Sequence, residues 1–127
     1  MKALHEFLRV DRGTPFRPGK HDCAMWVAKW VHLRTGRDPA RGWRGKYRTL
    51  AAGERLAKAQ GYDGHVGVVT EELVEIPPAM ARIGDLAIVR GDIDDALGIV
   101  TGERVSVLRP DGLGSVDLTK AVRAWRL

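Results

Sequence analysis

The sequence predicts an α+β domain, with N-terminal helices packed on a small C-terminal antiparallel sheet or half-barrel. Three observations carry this. Apolar stripes at helical spacing are confined to the first half of the chain. Short β-branched runs separated by turn signals fill the last third. With 127 residues, 44% hydrophobic and 29% charged, the chain suits one globular domain over 1–127. A chain of this size buries roughly two-thirds of its unfolded surface, enough for a core without staples.

The elements follow in order. Leu4, Phe7 and Leu8 recur at helical spacing and predict a first helix over 2–10. Residues 11–20 carry glycine and proline and read as loop. Cys23, Trp26, Val27, Trp30 and Val31 form one apolar stripe, which makes the tryptophans core rather than a ligand platform. Asp22 stands before this helix as N-cap and Gly36 after it as stop. A third helix is expected over 47–60, carrying Leu50, Ala51, Leu56, Ala57 and Ala59 and stopped by Gly61. From Val66 to Ile76 the residues turn β-branched and apolar, and Pro77-Pro78 break the run. Strands are expected at Leu86–Val89, Leu97–Val100 and from Val105 to Arg109, with Thr101-Gly102 as a tight turn. Pro110-Asp111-Gly112 signals another turn, before weaker strand patterns at Val116–Leu118 and Ala124–Leu127.

Charge and cysteine content narrow the classes. Lys plus Arg total 21 against 16 acids, a net of +5, which permits contact with an anionic polymer. The basic residues concentrate from Arg34 to Arg48, among Trp43 and Tyr47. Arg41, Trp43 and Arg44 would be the binding residues of a nucleic-acid or anionic-glycan module. The plainer reading is a solvated loop pinned by its aromatics, and no nucleic-acid motif accompanies the charge. The single cysteine precludes an internal disulfide and a cysteine-only metal site. No phosphate loop or zinc spacing is present, so no cofactor or metal is expected. The acidic cluster Asp92, Asp94 and Asp95 lacks the closing glutamate of a calcium loop and reads as a solvated connection. The start of the chain has no apolar signal core, and no run reaches membrane-span length. Synthesis and folding in a cytoplasm are expected.

Cys23 is the sharpest feature. It sits in the first turn of a capped helix, where free N–H groups and the positive end of the dipole converge. Such a setting favours a thiolate and can bind the oxyanion of an acyl-transfer intermediate. The plainer alternative is a small buried residue that starts the core stripe. A nucleophilic cysteine also needs a base, held by a third group.

The order Lys20-His21-Asp22-Cys23, then Gly84-Asp85-Leu86-Ala87-Ile88-Val89, then Leu97-Gly98-Ile99-Val100 resembles the NlpC/P60 superfamily of papain-like cysteine peptidases. Thr35-Gly36-Arg37-Asp38-Pro39, Arg44-Gly45-Lys46-Tyr47, Asp111-Gly112-Leu113 and Arg123-Ala124-Trp125-Arg126 add a resemblance to a compact branch encoded by tailed phages and prophages. The resemblance runs from about residue 5 to the end. It implies a nucleophile at Cys23 and a base supplied by a His-Val-Gly-Ile strand. This chain instead reads Asp95-Ala96-Leu97-Gly98-Ile99, so the base position falls on Ala96, which accepts no proton.

Four histidines are available as substitutes. His5 is expected on an exposed helix face, and His32 lies nine residues along the Cys23 helix, about 13 Å up its axis. His21 reaches the sulfur only by folding over the helix start. His65, in His65-Val66-Gly67-Val68-Val69, mimics the family's strand but precedes the Gly-Asp-Leu turn that the family's strand follows. It reads more simply as a loop residue beside Asp63 and Gly64.

The leading expectation is therefore a catalytically degenerate NlpC/P60-like domain. The resemblance implies that it serves as a structural component of a phage tail or tail tip, with other tail proteins and the bacterial wall as partners, and the virion as final location. Nucleic acid is disfavoured as a partner. The alternatives are an active cysteine hydrolase on peptidoglycan peptides, with Cys23 as nucleophile and His65 or His21 as base, and the anionic-polymer binder above.

Overall fold

The computed structural model describes residues 1–91 and 94–127; Asp92 of the acidic cluster lies outside the described residues. Four helices, α1 (Lys2–Val10), α2 (Cys23–Thr35), α3 (Leu50–Ala59) and α4 (Gly64–Thr70), precede six strands. The strands are β1 (Val74–Ile76), β2 (Leu86–Val89), β3 (Ala96–Val100), β4 (Arg104–Arg109), β5 (Gly112–Asp117) and β6 (Ala121–Arg126). They form one antiparallel sheet in the order β1-β6-β2-β3-β4-β5. The α+β class, with helices first and sheet second, is as the sequence predicts.

Helix α2 is the hub. The Asp22 side chain accepts from the Met25 N–H and caps its start, and Gly36 ends it in the left-handed region. Trp26, Val27, Ala28, Trp30 and Val31 are wholly buried, so the helix is enclosed well beyond a single stripe. Leu4 and Phe7 of α1 cover one side, with Phe7 packed against the rings of Trp26 and Trp30. Leu86, Ile88, Leu97, Ile99, Leu108 and Trp125 meet α2 from the sheet.

Because strand side chains alternate between faces, Ala87, Val89, Val105 and Val107 point the other way and form a second cluster with Val100 and Ala124. The residues that close over that cluster belong to the strands and their connections, among them Ile76, Val116, Leu118 and Ala121. The sheet thus curls over its own second face as a half-barrel. A register shift between β2 and β6 at Ile88/Val89 contributes to the bend.

The turn before β2 ties sheet to hub. The Trp30 indole N–H donates to the Gly84 carbonyl at 2.9 Å. The buried Asp85 carboxylate accepts from the Arg82 and Leu127 N–H groups and pairs with Arg126. The tryptophan is thereby fixed without an unpaired donor.

The β-branched segment after Gly64 is helical through Thr70 and extended only from Val74 to Ile76. Local propensity yields to tertiary contact: Val68 and Val69 are buried, and the Glu54 side chain accepts from the His65 N–H in the first turn.

Candidate active site

The site lies where α2, α3 and α4 converge. Cys23 opens α2 and is half-buried, neither a core residue nor fully exposed. Its position is fixed by Asp22, which has no exposed surface. Oδ1 accepts from Met25 N at 2.9 Å, and Oδ2 accepts from Gly19 N at 2.8 Å and from the Tyr47 hydroxyl at 2.6 Å. Burial, and then the hydrogen bond to Asp22, push the Tyr47 hydroxyl far above the ordinary phenol range, so it stays a donor. One carboxylate thus closes the loop, caps the helix and anchors a tyrosine beside the sulfur.

His65 sits in the first turn of α4, and its Nε2 lies 4.0 Å from Cys23 Sγ. Its Nδ1 is hydrogen-bonded to Glu54 Oε1, and the same oxygen accepts from the His65 backbone N–H at 2.9 Å. A bound Nδ1 fixes ring orientation and leaves Nε2 toward the sulfur. Burial pushes the imidazole down, but Cys23 and Glu54 outweigh it and raise it to about 9. Glu54 is lowered: burial alone would raise it, and the bonds from His65 overcome that.

The local sequence makes this approach feasible. Gly64 has φ of +73°, and a Cβ there would run into the Glu54 carboxylate. Glycine therefore lets Glu54 reach across from α3. On the other side of Glu54, a Cβ at Gly53 would lie 2.9 Å from the Tyr47 ring.

Three corrections follow. Cys23 is expected to face Ala96 where the resemblance puts a histidine, but α4 brings the His65 ring to the sulfur instead. His65 is a helix residue bridging to Glu54, not a loop residue. Ala96 starts β3, half-buried, and marks only where a strand histidine would stand. The other substitutes do not engage the sulfur. His21 is buried with Nε2 unpaired, and burial holds it below the ordinary imidazole range. His5 and His32 are exposed.

The basic segment divides. Trp43 lines a cavity beside Cys23 and stands edge-on to Tyr62 at 5.6 Å. Arg44 pairs with Asp38 at 3.3 Å, Arg37 with Glu72 at 3.0 Å, and Arg34 lies over the Trp30 ring. Arg41 is exposed. Local pairing thus uses several of these cations. Among the described residues, no helix is long and apolar enough to cross a membrane.

Glu54 and Tyr47 are the site residues that sequence reasoning missed. A usable signal exists for Glu54: it stands next to Gly53 and three residues before Ala57, a carboxylate bordered by small residues on one helix face.

The cysteine, imidazole and carboxylate have the connectivity of a nucleophile, base and orienting group. The backbone N–H groups that open α2 lie next to the sulfur, where an oxyanion would form. At 4.0 Å the contact between sulfur and imidazole is long for a hydrogen bond.

Comparison with known proteins bears on the whole chain. Among curated proteins, none is significantly similar in sequence. The crystal structure of the NlpC/p60 domain of peptidoglycan hydrolase SagA is similar in fold, with a TM-score of 0.61 at 17% identity, covering 99% of this chain and 97% of that one. The model of the family described as Domain of unknown function (DUF6950) matches residues 1–127, and the chain belongs to that family.

Proposed function

We propose that this DUF6950 member is a cysteine hydrolase that cleaves a peptide or amide bond through an acyl-enzyme on Cys23. The observation that carries the reading is the continuous relay from Cys23 Sγ through His65 to Glu54. With the imidazole raised to about 9, His65 holds its proton at neutral pH and faces the sulfur as a cation.

The sulfur attacks the carbonyl carbon, and the carbonyl electrons move to oxygen, opposite the N–H groups that open α2. As the intermediate collapses, the C–N bond breaks and the amine leaves with the proton from His65 Nε2. A water then attacks the thioester carbon while His65 takes its proton. The C–S bond breaks, the acid departs, and sulfur and imidazolium return to their starting state. Glu54 keeps the ring turned toward sulfur and balances its charge.

The SagA domain of similar fold belongs to a peptidoglycan hydrolase, and wall-derived peptides are therefore the first substrates to try. The inert tail component supposes an absent base, and the contact between Cys23 and His65 supports the hydrolase reading over it. The test is incubation of the full chain with purified wall peptides, read by mass spectrometry, alongside Cys23→Ala. The reading expects new amine and carboxylate termini with wild type only. A folded chain whose Cys23 reacts as an ordinary thiol would overturn it.

A further inference from the structure

The relay does not account for the cavity it borders. A space of about 100 Å³ opens beside Cys23 and runs between α2, α3 and α4. Ala28 of α2, Ala40 of the following loop and Ala57 of α3 stand around it, and Val68 and Val69 of α4 face it. All five are buried in the folded chain. Small residues at three helix- and loop-borne positions leave a void that larger apolar residues would fill, and an unfilled void costs stability.

We propose that this cavity receives an uncharged aliphatic side chain of the substrate, of about valine size, next to the bond under attack. The inference rests on Cys23 being the nucleophile. Its size follows from volume: about 100 Å³ is less than the roughly 150 Å³ of an apolar cavity that holds a benzene ring, so it suits a side chain of a few carbons. Its chemistry follows from the wall. No lysine or arginine lines the cavity. The carboxylates that do, Asp22 and Glu54, are engaged by Gly19, Met25 and Tyr47 and by His65. An anionic side chain would meet two carboxylates, and the one cation beside them, the His65 imidazolium, is already paired with Glu54. A cationic one would have to take oxygens already in use, in an apolar surrounding.

The test uses N-acetylated chloromethyl ketones of glycine, valine, aspartate and lysine on the full chain. The thiolate attacks the chloromethyl carbon, the C–S bond forms, the C–Cl bond breaks and chloride leaves. Cys23 is the only cysteine, so one adduct reports the site. Rates are measured above pH 9.5, where even an ordinary thiol is ionised. The valyl reagent is expected to react about ten-fold or more faster than the glycyl one, the range for apolar groups in a fitted pocket. The aspartyl and lysyl reagents are expected to be no faster than the glycyl one. Ala57→Leu fills the space, and Val68→Thr makes its wall polar at nearly constant shape; each is expected to reduce the valyl-to-glycyl ratio toward one. Equal rates for all four reagents, or a lysyl preference, would overturn the proposal. So would a valyl preference unchanged in a folded Val68→Thr. Iodoacetamide separates the two readings: an ordinary pH profile with it defeats the hydrolase, whereas a displaced profile with equal ketone rates defeats only the pocket.

Discussion

Cys23 and His65 stand 42 residues apart in the chain, and Sγ and Nε2 lie 4.0 Å apart in the fold. Two helix starts make that contact. Asp22 caps α2 and fixes the sulfur, and Glu54 binds the first turn of α4 and fixes the ring.

Glu54→Gln removes the charge that helps hold the imidazolium. The His65 ring, followed by proton NMR, is expected to titrate below about 9 and closer to its ordinary 6.5. Alkylation of Cys23 at neutral pH should slow by about ten- to a hundred-fold, the scale of a hydrogen bond to a charged group. An unchanged ring titration would remove Glu54 from the relay.

Asp22→Ala deletes the cap and leaves the Tyr47 hydroxyl and the Gly19 N–H without their acceptor. A loss of about 2–4 kcal/mol is expected in urea denaturation, and Asp22→Asn should lose less. A cost under about 0.5 kcal/mol for Asp22→Ala would contradict the pin described for it.

Gly64→Ala forces a side chain into a positive φ and against the Glu54 carboxylate. Destabilisation of about 1–3 kcal/mol is expected. The displaced carboxylate should also lower the His65 titration, a second readout that strain alone would not move.

His65 links stability to pH with a definite sign. Its folded value, about 9, exceeds the ordinary 6.5, so its contribution is full below about 6.5 and is lost as pH rises through 9. The stability gap between wild type and His65→Gln, read by thermal denaturation, should therefore narrow from pH 6.5 to 9.5. A gap that widens over that range would reverse the assignment.

The parts of the fold that a local pattern specifies were legible in the sequence. Helix α2 announces itself by the Cys23-to-Val31 stripe, the Asp22 cap and the Gly36 stop, and all three are present. The unbroken apolar runs Leu86–Val89 and Leu97–Val100 mark strands that are buried on both faces. Helix α4 was not legible, because Gly64, Val66, Gly67, Val68 and Val69 are poor helix formers whose helicity depends on packing and on a carboxylate from α3. The place of His65 was obscured for the same reason. A strand motif and chain order point away from His65, whereas the fold brings it to the sulfur from a helix. Glu54 touches His65 only through tertiary structure, which no spacing in one sequence encodes.

The most direct measurement is the rate of iodoacetamide alkylation of Cys23 as a function of pH, in wild type and in His65→Gln. With an imidazolium held 4.0 Å from the sulfur, the two profiles should differ, wild type reacting faster than His65→Gln on the acid side. Superimposable profiles for the two proteins, both rising near pH 8.5 as a free thiol does, would contradict the relay from Cys23 through His65 to Glu54.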